Sequence, residues 1–267
     1  MAEYDNASGH GHVLITGGTG FIGSALVGRL LDAGSRVSVL SRDARRAREQ
    51  FDGRVTAWED LATIAGDDAP DVIVNLAGKN LGDERWDDAV KRQLVASRVE
   101  TTRQVVAYIA RAERRPRLLV SGSAVGYYGA RGDERLDEDS GPGDEFQSDL
   151  CRQWEAAALE AEQHGVRVCI SRTGIVMGRG GGALAGPFNN TAPNPVTNRD
   201  FSRAIGRALN RPVLLKAPAF AMRLAYGEMA HLYLTGQRAL PTRHQQRGFD
   251  FRYADIDEAV GDALREA

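Results

Sequence analysis

The 267-residue chain is 42% hydrophobic and 26% charged, with 30 Gly and 9 Pro. That balance excludes disorder and collagen-like repeats and suffices for one large α/β domain or a core with a smaller appendage. Its 34 Lys plus Arg face 36 Asp plus Glu, a formal net charge of -2, so the chain carries no overall electrostatic footprint for nucleic acid or an anionic membrane.

Short apolar runs at 12–16, 36–40, 54–58, 71–76, 117–121 and 166–171 read as buried strands. Amphipathic stretches fill the gaps. Ile22, Leu26 and Leu30 form one stripe, with Gly34 where a helix C-terminal glycine belongs. Trp86, Val90, Leu94, Val105 and Ile109 mark a long helix within 83–111, and 146–164 is another. This alternation predicts a doubly wound parallel sheet covered by helices on both faces. After Gly178 the pattern changes to a glycine run, GRGGGALAG, an extended piece over 187–192 and the turn APNPVTN. A boundary near Pro193 divides residues 10–192, the nucleotide-binding unit, from 193–267, where helical patterns at 201–209, 219–234 and 256–264 dominate. The four arginines between Arg42 and Arg48 read as a solvated helix face.

The residues HVLITGGTGFIG carry the strongest chemical signal. Gly17, Gly20 and Gly23 follow a predicted strand and open a predicted helix at Phe21 and Ile22, and Gly18, Gly20 and Gly23 also fit Gly-x-Gly-x-x-Gly. Such glycines permit a tight turn and close backbone approach to a pyrophosphate, whose charge the free N–H groups and the helix dipole favour. At the tip of the second strand, where an NAD enzyme offers a carboxylate to the ribose, stand Ser41 and Arg42. A guanidinium there matches a 2′-phosphate, so NADP(H) is expected in preference to NAD(H).

With TGGTGFIG at 16–23, NLAG at 75–78, SGSAVGYYG at 121–129 and RTGIVMG at 172–178, the chain resembles the extended short-chain dehydrogenases/reductases, the NAD-dependent epimerase/dehydratase superfamily. SRVETT at 97–102, Trp154-Glu155, NTAPNPVTN at 190–198 and RPVLLKAPAF at 211–220 resemble its atypical "epimerase family" branch, which ends in a helical domain of unknown role. The resemblance implies that Leu76, Ala77 and Gly78 line the cofactor and that Gln93 and Arg98 approach it from the long helix.

It also exposes two departures. The superfamily relays a proton through a serine after the fifth strand and a Tyr-x-x-x-Lys pair, in which the lysine lowers the tyrosine pKa. Ser123 is present, but alignment on Glu155 puts Gln147 and Cys151 where Tyr and Lys should be, and the three lysines, Lys79, Lys91 and Lys216, lie elsewhere. Tyr127 and Tyr128 follow Ser123 closely enough to face a nicotinamide and are the remaining catalytic candidates beside it. Cys151 reads as a small core residue, and the carboxylates at Asp133, Glu134, Asp137, Glu138 and Asp139 as a solvated run. His231 and His244, without partners at ligand spacing, read as structural. Branch members also carry several tens of residues between GGGAL and GPFN that wall the substrate site, whereas here Leu184 is followed by Ala185, Gly186 and Pro187. The shortening is either a true deletion, natural or engineered, or a gap in the given sequence; a true deletion predicts exposed apolar surface around Phe220, Met222, Leu224 and Tyr226, and a homodimer across it.

Cys151 and Cys169 form neither a Cys-x-x-Cys pair nor a Cys/His cluster, so no metal site is expected and a reducing compartment fits. No apolar run reaches the ~18 residues of a membrane span, and the N-terminus lacks an export pattern, so a cytoplasmic protein is expected. Two functions follow: an NADP-dependent oxidoreductase or epimerase acting on a small hydroxylated or sugar-like substrate, or a non-catalytic NADP-binding sensor whose C-terminal helices contact a partner.

Overall fold

The computed structural model describes residues 11–174, 176, 188–213 and 217–265. In chain order its regular elements are β1 (His12–Thr16), α1 (Phe21–Asp32), β2 (Arg36–Leu40), α2 (Ala44–Gln50), β3 (Thr56–Trp58), β4 (Val72–Asn75), α3 (Asp88–Arg111), β5 (Leu118–Ala124), β6 (Arg135–Leu136), α4 (Phe146–Leu159), β7 (Arg167–Thr173) and β8 (Phe188–Asn190). There follow α5 (Asn198–Ala208), α6 (Ala219–Tyr226), α7 (His231–Leu234), β9 (Arg238–Ala239), α8 (Thr242–Gln246) and α9 (Ile256–Arg265).

Seven strands form one sheet in the order β3-β2-β1-β4-β5-β7-β8, with every neighbouring pair parallel. The doubly wound architecture expected from the alternating pattern is therefore present. All five residues of β1 are buried, as a strand covered on both faces requires. Leu14 packs with Ile73, Leu119, Val105 and Ile109 on the α3 side. Val13 and Ile15, one residue out of phase, pack with Val27, Val37 and Val39 beneath α1. Strand order reverses between β1 and β4, and ligands of open parallel sheets sit above the strand C-termini at such a switch point.

Element ends differ from the sequence reading where polar residues carry the backbone on. β5 and β7 run beyond the apolar 117–121 and 166–171, because Gly122, Ser123 and Ala124 pair in register with Ser171, Arg172 and Thr173. The helix expected over 219–234 breaks at Gly227, whose φ of +59° is foreign to a right-handed helix, leaving α6, a short 3-10 turn and α7. Gly34, at φ +80°, takes the expected position beyond α1: its N–H reaches the Leu31 carbonyl and that of Ser35 the Leu30 carbonyl, closing the helix. The long helix starts at Asp88, five residues inside the expected range, because the Asp87 carboxylate accepts the Val90 N–H at 2.8 Å and caps it there.

A small parallel ladder, Arg135 to Arg238 and Leu136 to Ala239, ties the loop after β5 to the C-terminal region. α5 lies against α9, with Arg207 Nε 3.0 Å from Asp257 Oδ1. Phe220 and Leu224 are 74% and 79% exposed, and Tyr226 38%, in keeping with the apolar surface anticipated on that helix, whereas Met222 is half-buried. The junction from Leu184 to Pro187 lies outside the described residues. Among the described residues no helix is long and apolar enough to cross a membrane.

Candidate functional site

The turn between β1 and α1 is built by two glycines whose side-chain space is already taken. Gly17 has φ +69°, and a Cβ there would lie 2.8 Å from the Leu76 carbonyl. A Cβ on Gly23 would lie 2.1 Å from the Gly17 carbonyl oxygen, so this glycine lets the first helical turn sit directly on the loop. The backbone N–H groups of Phe21, Ile22 and Gly23 have no hydrogen-bond partner among the described residues, as the opening turn of a helix dictates. The Phe21 and Ile22 side chains are 67% and 42% exposed, so what these residues bring to the turn itself is their main chain.

These groups open onto a cleft of about 1040 Å³ over the C-terminal ends of β1, β2 and β4, large for a small-molecule site. Gly17 and Gly20 line its middle; Ser41, Arg42, Asp43, Arg46 and Glu59 line one end; Leu76, Ala77, Gly78, Lys79, Asn80 and Asp83 line the β4 side. Both carboxylates at the Arg42 end are committed to backbone: Asp43 Oδ1 accepts the Arg46 N–H at 2.8 Å, and Glu59 Oε1 accepts the Ala44 N–H at 3.1 Å. Arg42 and Arg46 are left as the open cations there, a pair that fits a phosphate. The arginine run therefore lies partly on the cleft. Asp43 as an N-cap, legible in the sequence, would have placed Arg46 in the first turn of α2 beside Arg42.

Of the two α3 residues implied by resemblance, Gln93 lines the cleft and its Oε1 accepts Lys79 Nζ at 2.5 Å, while Arg98 does not line it. At about 100° per residue, Arg98 is turned some 140° from Gln93 on the helix. Its guanidinium is buried behind the turn, donating to the Lys79 carbonyl at 2.9 Å and the Leu94 carbonyl at 3.1 Å, with Trp154 5.3 Å away. It holds the Gly78–Lys79 turn in place. The residues that share the Gln93 face are Ser97, Thr101 and Gln104, all on the cleft, and their i, i+4, i+8, i+11 spacing is the signal in the sequence that joins them to Gln93.

At the end of β5, Ser123 and Tyr128, two of the three catalytic candidates, have buried side-chain partners. Ser123 Oγ donates to Glu155 Oε1 at 2.6 Å, and Glu155 receives Arg172 through both Nε and Nη2 at 2.8 Å. Arg172 Nη1 donates to the Tyr128 hydroxyl at 3.1 Å, which in turn donates to Asn189 Oδ1 at 2.6 Å. All five side chains are buried. Burial alone would lower the Arg172 pKa, but the hydrogen bonds and charge of Glu155 more than offset it and raise it; burial raises that of Tyr128. With β7 and β8 alongside, these hydroxyls satisfy a buried ion pair instead of reaching solvent. Tyr127 differs. It is half-buried, its ring stacks on Arg172 with the guanidinium carbon 3.6 Å from the centroid, and its hydroxyl has no partner among the described residues.

Where the relay pair would stand, Gln147 and Cys151 face the core of the site. The Cys151 thiol is buried, is pushed up to about 11 by desolvation and the nearby Glu155 carboxylate, and lies 3.8 Å from the Ala124 carbonyl. It is no thiolate nucleophile. Gln147 Nε2 lies 3.4 Å from Nδ1 of His231, brought from α7. Nothing in the sequence connected two residues 84 positions apart. No cluster of metal-ligating side chains exists among the described residues.

A sequence profile described as "NAD dependent epimerase/dehydratase family" matches residues 13–215, most of the chain. The chain belongs to this family. A second profile, a domain of unknown function (DUF1731), matches residues 217–263. The epimerase family protein YfhF of Bacillus subtilis is 32% identical over 300 positions, covering 96% of this chain and 98% of that protein. The chloroplastic SDR39U1 homolog of Arabidopsis thaliana is 34% identical over 302 positions, covering 93% and 85%. The crystal structure of human epimerase family protein SDR39U1 (isoform 2) with NADPH superposes with a TM-score of 0.84 at 28% identity, covering 96% of this chain and 100% of that one. The YfhF alignment engages 96% of 267 residues across 300 positions, so roughly 44 of its positions face no residue here, in line with a shortened chain.

Proposed function

We propose that this protein binds NADP(H) in preference to NAD(H) and is an oxidoreductase or epimerase acting on a small hydroxylated or sugar-like substrate. The observation that carries the cofactor assignment is the end of the cleft where Arg42 and Arg46 stand open while Asp43 and Glu59 are spent on backbone N–H groups. A 2′-phosphate differs from a 2′-hydroxyl only at that end, and it meets cations there without a free carboxylate to repel it. Fit to a dinucleotide is supported independently by the cradle, in which Gly17 and Gly23 let the β1–α1 turn close tightly against Leu76 and the first helical turn, with three open N–H groups at the start of α1. The NADPH named with the human relative agrees with this reading.

In this assignment Gly17, Gly20 and the Phe21, Ile22 and Gly23 N–H groups hold the pyrophosphate, and Ser41, Arg42 and Arg46 hold the phosphorylated ribose. The polar face of Gln93, Ser97, Thr101 and Gln104 lies against the remainder. A bound nicotinamide supplies hydride chemistry; the chain supplies orientation and a dry wall. Ser123 and Tyr128 brace that wall from behind through Glu155 and Arg172, and Tyr127 presents its hydroxyl beside it.

The second reading, a non-catalytic NADP-binding sensor, is favoured by the commitment of the Ser123 and Tyr128 hydroxyls to buried partners. Titration of NADPH and NADH tests the cofactor: tighter NADPH binding is expected, and tighter NADH binding overturns the assignment. Isotope exchange between labelled NADPH and a panel of small carbonyl and sugar-like compounds separates enzyme from sensor, since only the enzyme transfers label.

A further inference from the structure

Two arginines are buried in the nucleotide-binding region, and only one of them has a counter-ion. Arg172 is paired with Glu155. Arg98, 9% exposed, is held by the Leu94 and Lys79 carbonyls at 3.1 and 2.9 Å and by the face of Trp154, and among the described residues no carboxylate lies within ion-pair distance of it. Burial lowers its pKa, and no acidic side chain offsets that effect. A buried guanidinium supported only by neutral groups is costly, so the place where its charge acts is informative. That place is the cleft. Gly78 lines it, and a Cβ on Gly78 would lie 3.0 Å from Arg98 Cζ, so only the backbone of the Gly78–Lys79 turn separates the buried charge from the open space above.

Lys79 adds a second cation on the cleft side of the same turn. Its backbone is fixed at both polar groups, the N–H donating to Ser97 Oγ at 2.9 Å and the carbonyl accepting from Arg98, while its side chain lines the cleft. Nζ lies 2.5 Å from Gln93 Oε1 and 2.7 Å from Glu84 Oε1. Glu84 is more than half exposed and does not line the cleft, and an exposed pair of this kind contributes little, so a doubly charged anion displaces it readily. The carboxylate that does line this side, Asp83, accepts the Asn80 amide at 2.6 Å. The glycine cradle is close by: a Cβ on Gly17 would lie 2.9 Å from the Ala77 nitrogen, and Lys79 follows Ala77 by two residues, at most ~7 Å of chain.

We propose that the Gly78–Lys79 turn is a second phosphate-binding element of the cleft, in which Lys79 Nζ exchanges Glu84 for the pyrophosphate cradled by the β1–α1 turn and Arg98, as a positioning residue, acts on the same charge from beneath. The proposal rests on the assignment of the cleft to NADP(H). The bound pyrophosphate then supplies the counter-ion that Arg98 lacks among the side chains. Gly78 has no side chain because the guanidinium packs against it, which brings the charge within one backbone thickness of the ligand. Since the pyrophosphate is common to NADPH and NADH, this element adds affinity for both without choosing between them, whereas Arg42 discriminates at the other end of the cleft.

The full chain is titrated with NADPH and with NADH by cofactor fluorescence, at low and at high salt, and adenosine 2′-monophosphate, which has no pyrophosphate, is measured by competition. Lys79→Met, a change at a partly exposed side chain, is expected to weaken NADPH and NADH alike by about tenfold and to leave adenosine 2′-monophosphate within about twofold. It should also flatten the salt dependence of NADPH binding, a readout that loss of packing alone does not move. Arg98→Lys, which keeps a charge beneath the turn, should retain more affinity for both dinucleotides than Arg98→Met. A Lys79→Met chain that binds NADPH as tightly as the parent, or with the same salt dependence, overturns the proposal. So does weakening confined to NADPH, which would put Lys79 at the 2′-phosphate, or equal weakening of adenosine 2′-monophosphate, which would mark a general disturbance. Equal affinities in Arg98→Lys and Arg98→Met overturn the part given to Arg98. A parent chain that fails to bind NADPH overturns the cofactor assignment itself, and the first titration shows that before any variant is made.

Discussion

Replacement of Glu155 by Gln isolates the charge of the buried pair, because the amide has the shape of the carboxylate and opens no cavity. Three donors converge on that carboxylate, Arg172 Nε and Nη2 at 2.8 Å and Ser123 Oγ at 2.6 Å, and the two ionic side chains are only 6% and 9% exposed. In the variant the Arg172 guanidinium stays where it is, between β7 and Tyr127, with no counter-ion in reach. Glu138 offers it only a backbone carbonyl at 3.3 Å, its carboxylate being taken by the Asn189 and Arg243 N–H groups. Removing one partner of a buried pair costs about 3–5 kcal/mol. With a urea dependence of about 3 kcal/mol per molar, suited to a chain of this size, the unfolding midpoint falls by about 1–1.7 M. The pair Glu155→Gln and Arg172→Met, combined, should destabilise by ~2 kcal/mol less than the sum of the two single changes, since the second removes the stranded charge. Urea unfolding followed by tryptophan fluorescence reads all four corners of that cycle. A midpoint shift in Glu155→Gln below about 0.2 M, or strict additivity, would refute the claim that this ion pair fixes the end of β5.

The remaining expectations concern binding, reactivity and assembly. Arg42→Ala should weaken NADPH by about ten- to a hundredfold, the worth of ~1.5–3 kcal/mol for a hydrogen bond to charge, and leave NADH within about twofold; equal weakening of both, measured by fluorescence titration, refutes the 2′-phosphate assignment. Cys151, with its pKa pushed up to about 11, holds almost no thiolate at pH 8, so iodoacetamide should spare it in the native protein and label it rapidly in urea; fast native labelling by mass spectrometry contradicts its burial. The same raised value makes the thiol favour the folded state below its ordinary pKa of 9.0, an advantage lost as pH climbs through about 11. For the exposed Phe220 and Leu224, sedimentation of the parent should show a homodimer that Phe220→Asp with Leu224→Asp converts to monomer; a monomeric parent excludes that interface.

Local chemistry settled what the sequence determined by itself. Period and punctuation placed β1, β2 and the glycine turn to the residue, because a buried parallel strand must be continuously apolar and Gly17 and Gly23 have no room for a side chain. The tip of β2, one residue beyond its last strand position, was likewise legible, so Ser41 and Arg42 emerged as cleft residues. What lay beyond reach of pattern was every contact made across the sheet or between distant segments. Ser123 and Tyr128 look like free hydroxyls in a glycine-rich loop until β7 brings Arg172 alongside and α4 brings Glu155 underneath. Arg98 and Gln93 are near neighbours in sequence but are turned apart by the helix, so one meets the cleft and the other lies behind it. His231, without a ligand-spaced partner along the chain, gains its surroundings only because the break at Gly227 turns α7 back onto the start of α4. Strand periodicity and backbone sterics are short-range and survive in one dimension, whereas the pairing of buried polar groups depends on which segments the fold lays side by side, and only the tertiary structure decides that.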